Sequence, residues 1–424
     1  MQPTIKQVVI LGSGVMGSRI GCHFAGIGVQ VLLLDRLQPG AEESTNSKER
    51  NKLVNDALQA SIKSNPSPIY SSAFTKNIRT GNFTDDMPKI ANADWIIEVV
   101  VERLDIKKTI YDQVEQYRKP GTLVSSNTSG IPIHLMAEGR SEDFQKHFCG
   151  THFFNPPRYL RLLEIIPTPK TAQWVIDFHM HYGDVFLGKT TVLCKDTPAF
   201  IANRVGVFSM MSVLHIMEKM GLTIDEVESL TGPILGRPKS ATFRTADVVG
   251  IDTLVKVATG VAENCPNDEA KATFKLPSWL EKMVAENWLG DKTGQGFFKK
   301  VKTATSKEIL TLNLATLEYE PRKKTKMASI DAAKAVDSLP ARLKVLYHSK
   351  DKAGQFIQAF HHALFSYISH RIPEISDELY RVDDALKAGF GWEIGAFESW
   401  NELGIDAVIK DMKAAGIAVA PWVE

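Results

Sequence analysis

In the first half of the chain, short runs rich in β-branched and aliphatic residues, at 8–11, 31–34, 95–100 and 122–125, alternate with longer amphipathic stretches. This βαβ rhythm predicts a Rossmann-type, doubly wound parallel α/β sheet. Two further strands are expected at 149–154 and 162–166, joined through Asn155-Pro156-Pro157. So short a connection demands an antiparallel pair. A last strand near 191–194 precedes Thr197-Pro198, which predicts an N-cap and a first-turn proline, with one long apolar-faced helix over 199–220. Between 42 and 82 lies a polar, Lys-rich excursion, in which 48–64 predicts a helix stopped by Asn65-Pro66-Ser67-Pro68. An excursion of that size between strands is a lid or a binding element.

The second half repeats itself. Thr223-Ile224-Asp225-Glu226-Val227, followed by Gly236, Phe243, Asp247 and Gly250-Ile251-Asp252, returns as Arg381-Val382-Asp383-Asp384, followed by Gly391, Phe397, Asn401 and Gly404-Ile405-Asp406. Each copy stands behind a helix-like stretch, at 201–220 and 353–372, so a duplicated helical domain is expected. The chain then divides into a dinucleotide-binding sheet domain at 1–195, a first helical domain at 196–302, and a linker with a second helical domain at 303–424. The polar segment 299–326, with Arg322-Lys323-Lys324-Thr325-Lys326, reads as a solvated linker.

Charge narrows the partners. Lys plus Arg (50) nearly cancels Asp plus Glu (49) over 424 residues, which argues against a nucleic-acid binder with a large basic excess and favours a small molecule. The four cysteines have no CxxC spacing, residues 1–7 lead straight into a strand-like run, and no stretch is apolar enough to span a bilayer. A cytoplasmic protein with no membrane partner is expected.

Gly12-Ser13-Gly14-Val15-Met16-Gly17 follows the first strand and opens a helix near Met16. The first glycine permits the tight turn, the second lets backbone approach a pyrophosphate, and the third allows close helix packing. The second strand ends in Asp35, where a carboxylate binds both ribose hydroxyls and repels a 2′-phosphate, so NAD is expected over NADP. Arg36 beside it tempers that preference, since a guanidinium there can meet a phosphate. The competing reading is a glycine turn without a nucleotide.

Removing hydride from an alcohol carbon requires a base for the hydroxyl proton, and an unperturbed imidazole, with a pKa of about 6.5, suits neutral pH. His152 lies on the strand at 149–154 and Glu164 on the returning one. A register that pairs them sets a carboxylate against the imidazole, fixing its tautomer and stabilising the imidazolium. Taken alone, His152 also reads as a satisfied structural histidine.

Ser126-Asn127-Thr128-Ser129, Gly150-Thr151-His152-Phe153-Phe154-Asn155-Pro156, Leu163-Glu164-Ile165-Ile166, Lys195-Asp196-Thr197-Pro198 with Asn203-Arg204, and Gly294-Gln295-Gly296-Phe297-Phe298 together resemble the 3-hydroxyacyl-CoA dehydrogenase family over nearly the whole chain. The resemblance implies helical domains of the 6-phosphogluconate-dehydrogenase C-terminal type. It also implies oxidation of (S)-3-hydroxyacyl-CoA to 3-ketoacyl-CoA in fatty-acid β-oxidation. It assigns His152 as base, Glu164 as its orienting acid, Ser129 as a contact to substrate oxygen and nicotinamide, and Asn203 as a holder of the reacting end. Glu102, Lys107, Asn127 and Asn155 would line the nicotinamide side, beside Gly12, Gly14, Val15, Met16, Gly17, Asp35 and Arg36. In the excursion at 42–82 the family's helical hairpin binds CoA, with Lys63 a candidate phosphate partner. Blander roles compete: a helix cap for Ser129, a turn contact for Asn203, a solvated charge for Lys107.

Where the family carries Gly-Pro-Phe, this chain has Ser240-Ala241-Thr242-Phe243. Single-copy members dimerise through the helical domain, and a second copy can fill that interface within one chain, so a monomer is expected. Members with the duplication are often fused to an enoyl-CoA hydratase module, which is not found here, and the chain reads as a fragment or a separate dehydrogenase component. Two other functions compete: a dehydrogenase of a free 3-hydroxy acid or sugar acid, and a non-catalytic NAD-binding structural protein.

Overall fold

The computed structural model describes residues 4–302 and 307–424. They form two compact units, Met1–Phe200 and Ile201–Glu424.

The first unit is built on eight strands: β1 (Gln7–Leu11), β2 (Gln30–Asp35), β3 (Ile78–Asn82), β4 (Trp95–Glu98), β5 (Leu123–Ser126), β6 (Phe148–Phe153), β7 (Leu162–Pro167) and β8 (Thr190–Leu193). Their order in the sheet is β3-β2-β1-β4-β5-β6-β7-β8. Strands β1 to β6 run parallel, as the apolar runs require, since helices cover both faces and Val8, Val9, Ile10 and Leu11 are fully buried. Strand β7 reverses against β6, and β8 follows β7 in parallel. The chain leaves β1 for β2 on one side and returns to β4 on the other, so the order switches direction between β1 and β4. Crevices for ligands open at the carboxyl ends of strands at such a point.

Three expectations change. The excursion at 42–82 is shorter than its polar run, because its last five residues are β3, paired with β2. Its helix is split into Ser47–Arg50 and Lys52–Ile62. At the joint, Asn51 accepts a bond from the Asn82 side chain, and the Arg50 guanidinium pairs with Asp85 and reaches the carbonyl of Glu42, so both side chains are drawn toward the end of β3. Where the resemblance implies a second hairpin arm there is one 3-10 turn, Ser72–Asn77.

The long helix begins at Ala202 rather than 199. Ala199 and Phe200 stand at φ 64° and 50°, in the left-handed region, which breaks the helical path that Thr197-Pro198 would have started. The turn carries the Phe200 ring inward, 5.6 Å from the His152 ring.

In the second unit, helices Ala202–Met220 and Lys352–His370 lie side by side, with Phe208 and Tyr367 stacked at 3.7 Å. Buried Arg204 donates to the Tyr367 hydroxyl (2.6 Å) and to Asp268 (2.7 Å). Behind the first long helix come Ile224–Leu230, Phe243–Val249 and Ile251–Asn264; behind the second come Leu379–Phe390, Ala396–Leu403 and Ile405–Ala414. The last two helices of each set meet at a glycine of nearly equal conformation, Gly250 (φ 104°, ψ 122°) and Gly404 (φ 92°, ψ 103°). Glu228 accepts the amides of Thr242 and Phe243, and Asp383 those of Phe397 and Glu398, so a carboxylate caps the equivalent helix in each set.

The segment 299–326 is not a plain linker. It holds most of a three-stranded antiparallel sheet, β9 (Phe298–Lys302), β10 (Lys307–Leu312) and β11 (Tyr319–Pro321), while 303–306 lie outside the described residues. Buried Asp225 anchors it by accepting the Lys323 amide (2.7 Å) and the Arg322 guanidinium (3.0 Å). No helix among the described residues is long and apolar enough to cross a membrane.

Candidate active site

The glycine turn lies at the switch point. Gly12 takes φ 111°, and a Cβ there would fall 2.6 Å from the Val99 carbonyl oxygen; at Gly17 it would fall 1.8 Å from the Gly12 oxygen. Gly14 is exposed with nothing within 4 Å of a would-be Cβ. Closed packing behind and open space in front make a cradle for a bulky anion. The helix Val15–Gly26 starts one residue before Met16, with no side-chain cap and no acidic residue in its first turn, so its N-terminal dipole is left unopposed. Asp35 ends β2 with one oxygen accepting the Ser13 amide and hydroxyl (2.6 Å each) and the other the Arg36 amide (2.7 Å). Arg36 is exposed.

Across the switch point, Glu98 closes β4. It is fully buried, accepting from the Val100 amide (2.7 Å), the Lys107 ammonium (2.7 Å), the Ser126 hydroxyl (2.6 Å) and the Tyr111 hydroxyl (3.1 Å). Lys107 is only 1% exposed and lies 3.5 Å from Glu102, so its charge is held behind the loop rather than reaching outward. Glu102 in turn accepts the Thr128 hydroxyl and the amides of Ser129 and Gly130. Burial would raise the Glu102 carboxyl, but Lys107 and these donors outweigh it and hold its pKa below the usual carboxylate range. Glu98 was not singled out from sequence, although a lone carboxylate inside an apolar strand run was the available signal.

Strands β6 and β7 supply the reactive pair. Their register sets His152 directly opposite Glu164, and side chains at paired positions share a face. Nδ1 of His152 lies 2.7 Å from Glu164, and Nε2 lies 2.9 Å from the Ser129 hydroxyl. His152 is 4% exposed and Glu164 fully buried. With Nδ1–H donating to the carboxylate, Nε2 presents a lone pair toward Ser129. Phe154 packs on the imidazole at 4.7 Å, on the same ring that Phe200 touches, and both keep bulk water from it. Asn127 accepts the Phe153 amide at 2.8 Å, joining the end of β5 to β6.

Asn155 follows β6 and accepts from Arg19, 2.6 Å away. Lys189, buried beneath the β6–β7 turn, donates to the Leu160 carbonyl (2.9 Å) and to that of Pro157. Burial, with Arg161 nearby, pulls its pKa down to about 8. Ser129, His152, Glu164 and Glu102 thus form one hydrogen-bonded group, with Asn127 held beside it at the Phe153 amide. Lys63 is exposed at the end of Lys52–Ile62, and Asn203 is half-buried on the first turn of Ala202–Met220, in the second unit.

The sheet order, the glycine cradle and a carboxylate at the end of β2 define a dinucleotide-dependent dehydrogenase of Rossmann type. Comparison with known proteins makes this specific. Residues 7–197 match the NAD binding domain of 3-hydroxyacyl-CoA dehydrogenase and 200–300 its C-terminal domain. A probable 3-hydroxyacyl-CoA dehydrogenase of Deinococcus radiodurans is 44% identical over 298 residues, covering 70% of this chain and 84% of that protein. The chain therefore belongs to the 3-hydroxyacyl-CoA dehydrogenase family of NAD-dependent dehydrogenases. A probable member from Bacillus subtilis is 43% identical over 432 residues, covering all of this chain but 54% of that protein, so the chain spans about half the length of this relative. The crystal structure of 3-hydroxybutyryl-CoA dehydrogenase from Escherichia coli shares the fold, with a TM-score of 0.69 at 19% identity over 99% of this chain and 98% of that one.

Proposed function

We propose that the chain oxidises (S)-3-hydroxyacyl-CoA to 3-ketoacyl-CoA as a step of fatty-acid β-oxidation, with His152 as general base oriented by Glu164. The observation that carries this reading is the position of the imidazole, backed by a buried carboxylate on one nitrogen and facing a hydroxyl with the other. In the complex a substrate hydroxyl would take the position beside Nε2 where the Ser129 hydroxyl lies 2.9 Å away, and Ser129 would donate to the substrate oxygen. Nε2 takes the proton from that oxygen, and the imidazolium that results is stabilised by Glu164, an interaction strengthened because the pair is dry. NAD bound in the cradle would accept the hydride from C3. Gly12, Gly14, Val15, Met16 and Gly17 fit its pyrophosphate, and Asp35 fits the ribose hydroxyls of NAD better than the 2′-phosphate of NADP. Glu102, Asn127, Ser129 and Asn155 would line the nicotinamide side, with Lys107 acting through Glu102. Asn203 would hold the reacting end of the substrate, and Lys63 a phosphate of CoA.

The repeated helix set in the second unit supports a duplicated helical domain that satisfies its own interface and leaves the chain monomeric. The family and the absence of a membrane-spanning helix among the described residues support an acyl-CoA substrate and a cytoplasmic setting. The Bacillus relative's greater length leaves room for a further module such as an enoyl-CoA hydratase. The competing substrates are a free 3-hydroxy acid or sugar acid, and turnover separates them. NADH formation from 3-hydroxybutyryl-CoA should exceed that from free 3-hydroxybutyrate by on the order of 10² or more, since remote binding energy is lost with CoA. Equal turnover of ester and acid refutes the CoA assignment. NADH from neither, with NAD still bound, would favour a non-catalytic protein.

A further inference from the structure

The Arg322-Lys323-Lys324 cluster is unused by the dehydrogenase reading. It lines a cleft of about 1410 Å3 in the second unit, beside β9 and β11. Eight Lys and Arg side chains face this cleft against three carboxylates, on a chain whose formal net charge is only +1. The three acids are already engaged: Asp225 by Arg322, Asp291 by Arg244 in a two-pronged pair at 2.6 Å, and Glu228 by helix amides. Among the described residues Lys239, Lys300 and Lys324 have no ion pair or side-chain hydrogen bond. On the same wall, half-buried Arg342 makes one long bond, at 3.4 Å to the Pro233 carbonyl. Unscreened like charges in a concave wall repel one another and focus an attractive potential for anions. Ile234, Phe298, Ile309 and Ile330 give the cleft an apolar side, which suits an organic body attached to the charge.

We propose that this cleft is a second ligand site that binds an organic diphosphate, its phosphoryl oxygens taken by Lys239, Lys300, Lys324 and Arg342 and its organic part by the apolar side. Ammonium and guanidinium groups are the usual protein partners of phosphoryl oxygen. A nucleic-acid duplex presents an extended line of charge and asks for a stripe rather than a cleft. A free nucleotide and the nucleotide end of a CoA thioester share the required chemistry. The site stands independently of the dehydrogenase reading.

Calorimetric titration of the whole chain, with NADH held at one equivalent so that only its dinucleotide crevice is filled, tests the proposal with inorganic pyrophosphate, ATP, CoA and duplex RNA as separate arms. Pyrophosphate should bind saturably and more weakly as salt rises. The exposed-residue variant Lys239→Glu/Lys300→Glu/Lys324→Glu should weaken it by about tenfold or more, with its melting temperature confirming that it folds and Lys300→Glu alone giving an intermediate loss. The ATP and CoA arms then identify the source. No saturable pyrophosphate binding, equal affinity in the triple variant, or a preference for duplex RNA overturns the site. Loss of all NADH production from acyl-CoA, with pyrophosphate binding intact, would instead remove the dehydrogenase reading.

Discussion

Glu98 and Lys107 show how a single pair can set a site without facing it. Both side chains are essentially excluded from water, at 0% and 1% exposure, so the desolvation of each charge is offset by the other, by the hydroxyl and amide donors around Glu98, and for Lys107 by Glu102 at 3.5 Å. Glu98→Gln leaves an ammonium buried without that partner and should cost about 3–5 kcal/mol, read as a lower midpoint in denaturant unfolding at pH 7. A second change, Lys107→Met, should recover part of the loss, because the orphaned charge is gone. If Glu98→Gln unfolds at the wild-type midpoint, the pair is not the anchor described. At this scale the sequence was informative where chemistry is local. His152 and Glu164 were found from strand spacing, and the structure sets them in register. The solvated-charge alternative for Lys107 fails because the side chain is buried against Glu98, a contact between strand and helix that no local pattern displays.

Elements were legible in proportion to how strongly apolar periodicity fixed them. Runs buried on both faces, such as β1 and β4, were the plainest, although β4 stops at Glu98, two residues short of its apolar run, and the short Asn155-Pro156-Pro157 connection dictated the β6–β7 reversal. The start of the helix Ala202–Met220 was misread because Thr197-Pro198 is a sound capping pair whose signal is overridden when Phe200 packs on His152. The sheet β9–β11 was missed because its strands are charged and short, and its anchors come from elsewhere in the chain. Asp247 is one of them, accepting the amides of Phe297 and Phe298 at the head of β9. Burial lifts its pKa from 3.8 to about 6, against the pull of those two amides. A carboxyl whose folded pKa is raised contributes stability that is full below the unfolded value and lost as pH rises through the folded one. The stability difference between wild type and Asp247→Asn should therefore shift against the wild type by on the order of 2–3 kcal/mol between pH 4 and pH 6.5. A flat difference across that window in parallel urea titrations would show that Asp247 is ionised throughout.

For the whole molecule, the repeated helix set makes a prediction about assembly. The stacked Phe208–Tyr367 pair and the Arg204–Tyr367 bond unite the two long helices inside one chain, and on the proposed reading they take the place of a contact between two chains. Sedimentation should give a single-chain mass that does not change over a wide concentration range, whereas a reversible dimer would show the duplication leaves an interface open. The repeat was readable because its Gly-Ile-Asp triplets recur with their flanking residues. The proposed chemistry rests on the His152–Glu164 pair, and turnover of 3-hydroxybutyryl-CoA by wild type, His152→Ala, Glu164→Gln and the double variant tests it most directly. Each single change should lower kcat by a factor on the order of 10² to 10⁴, and the double should be no slower than His152→Ala, because the carboxylate acts only through the imidazole. Near wild-type turnover in His152→Ala, or losses that multiply in the double variant, would contradict it.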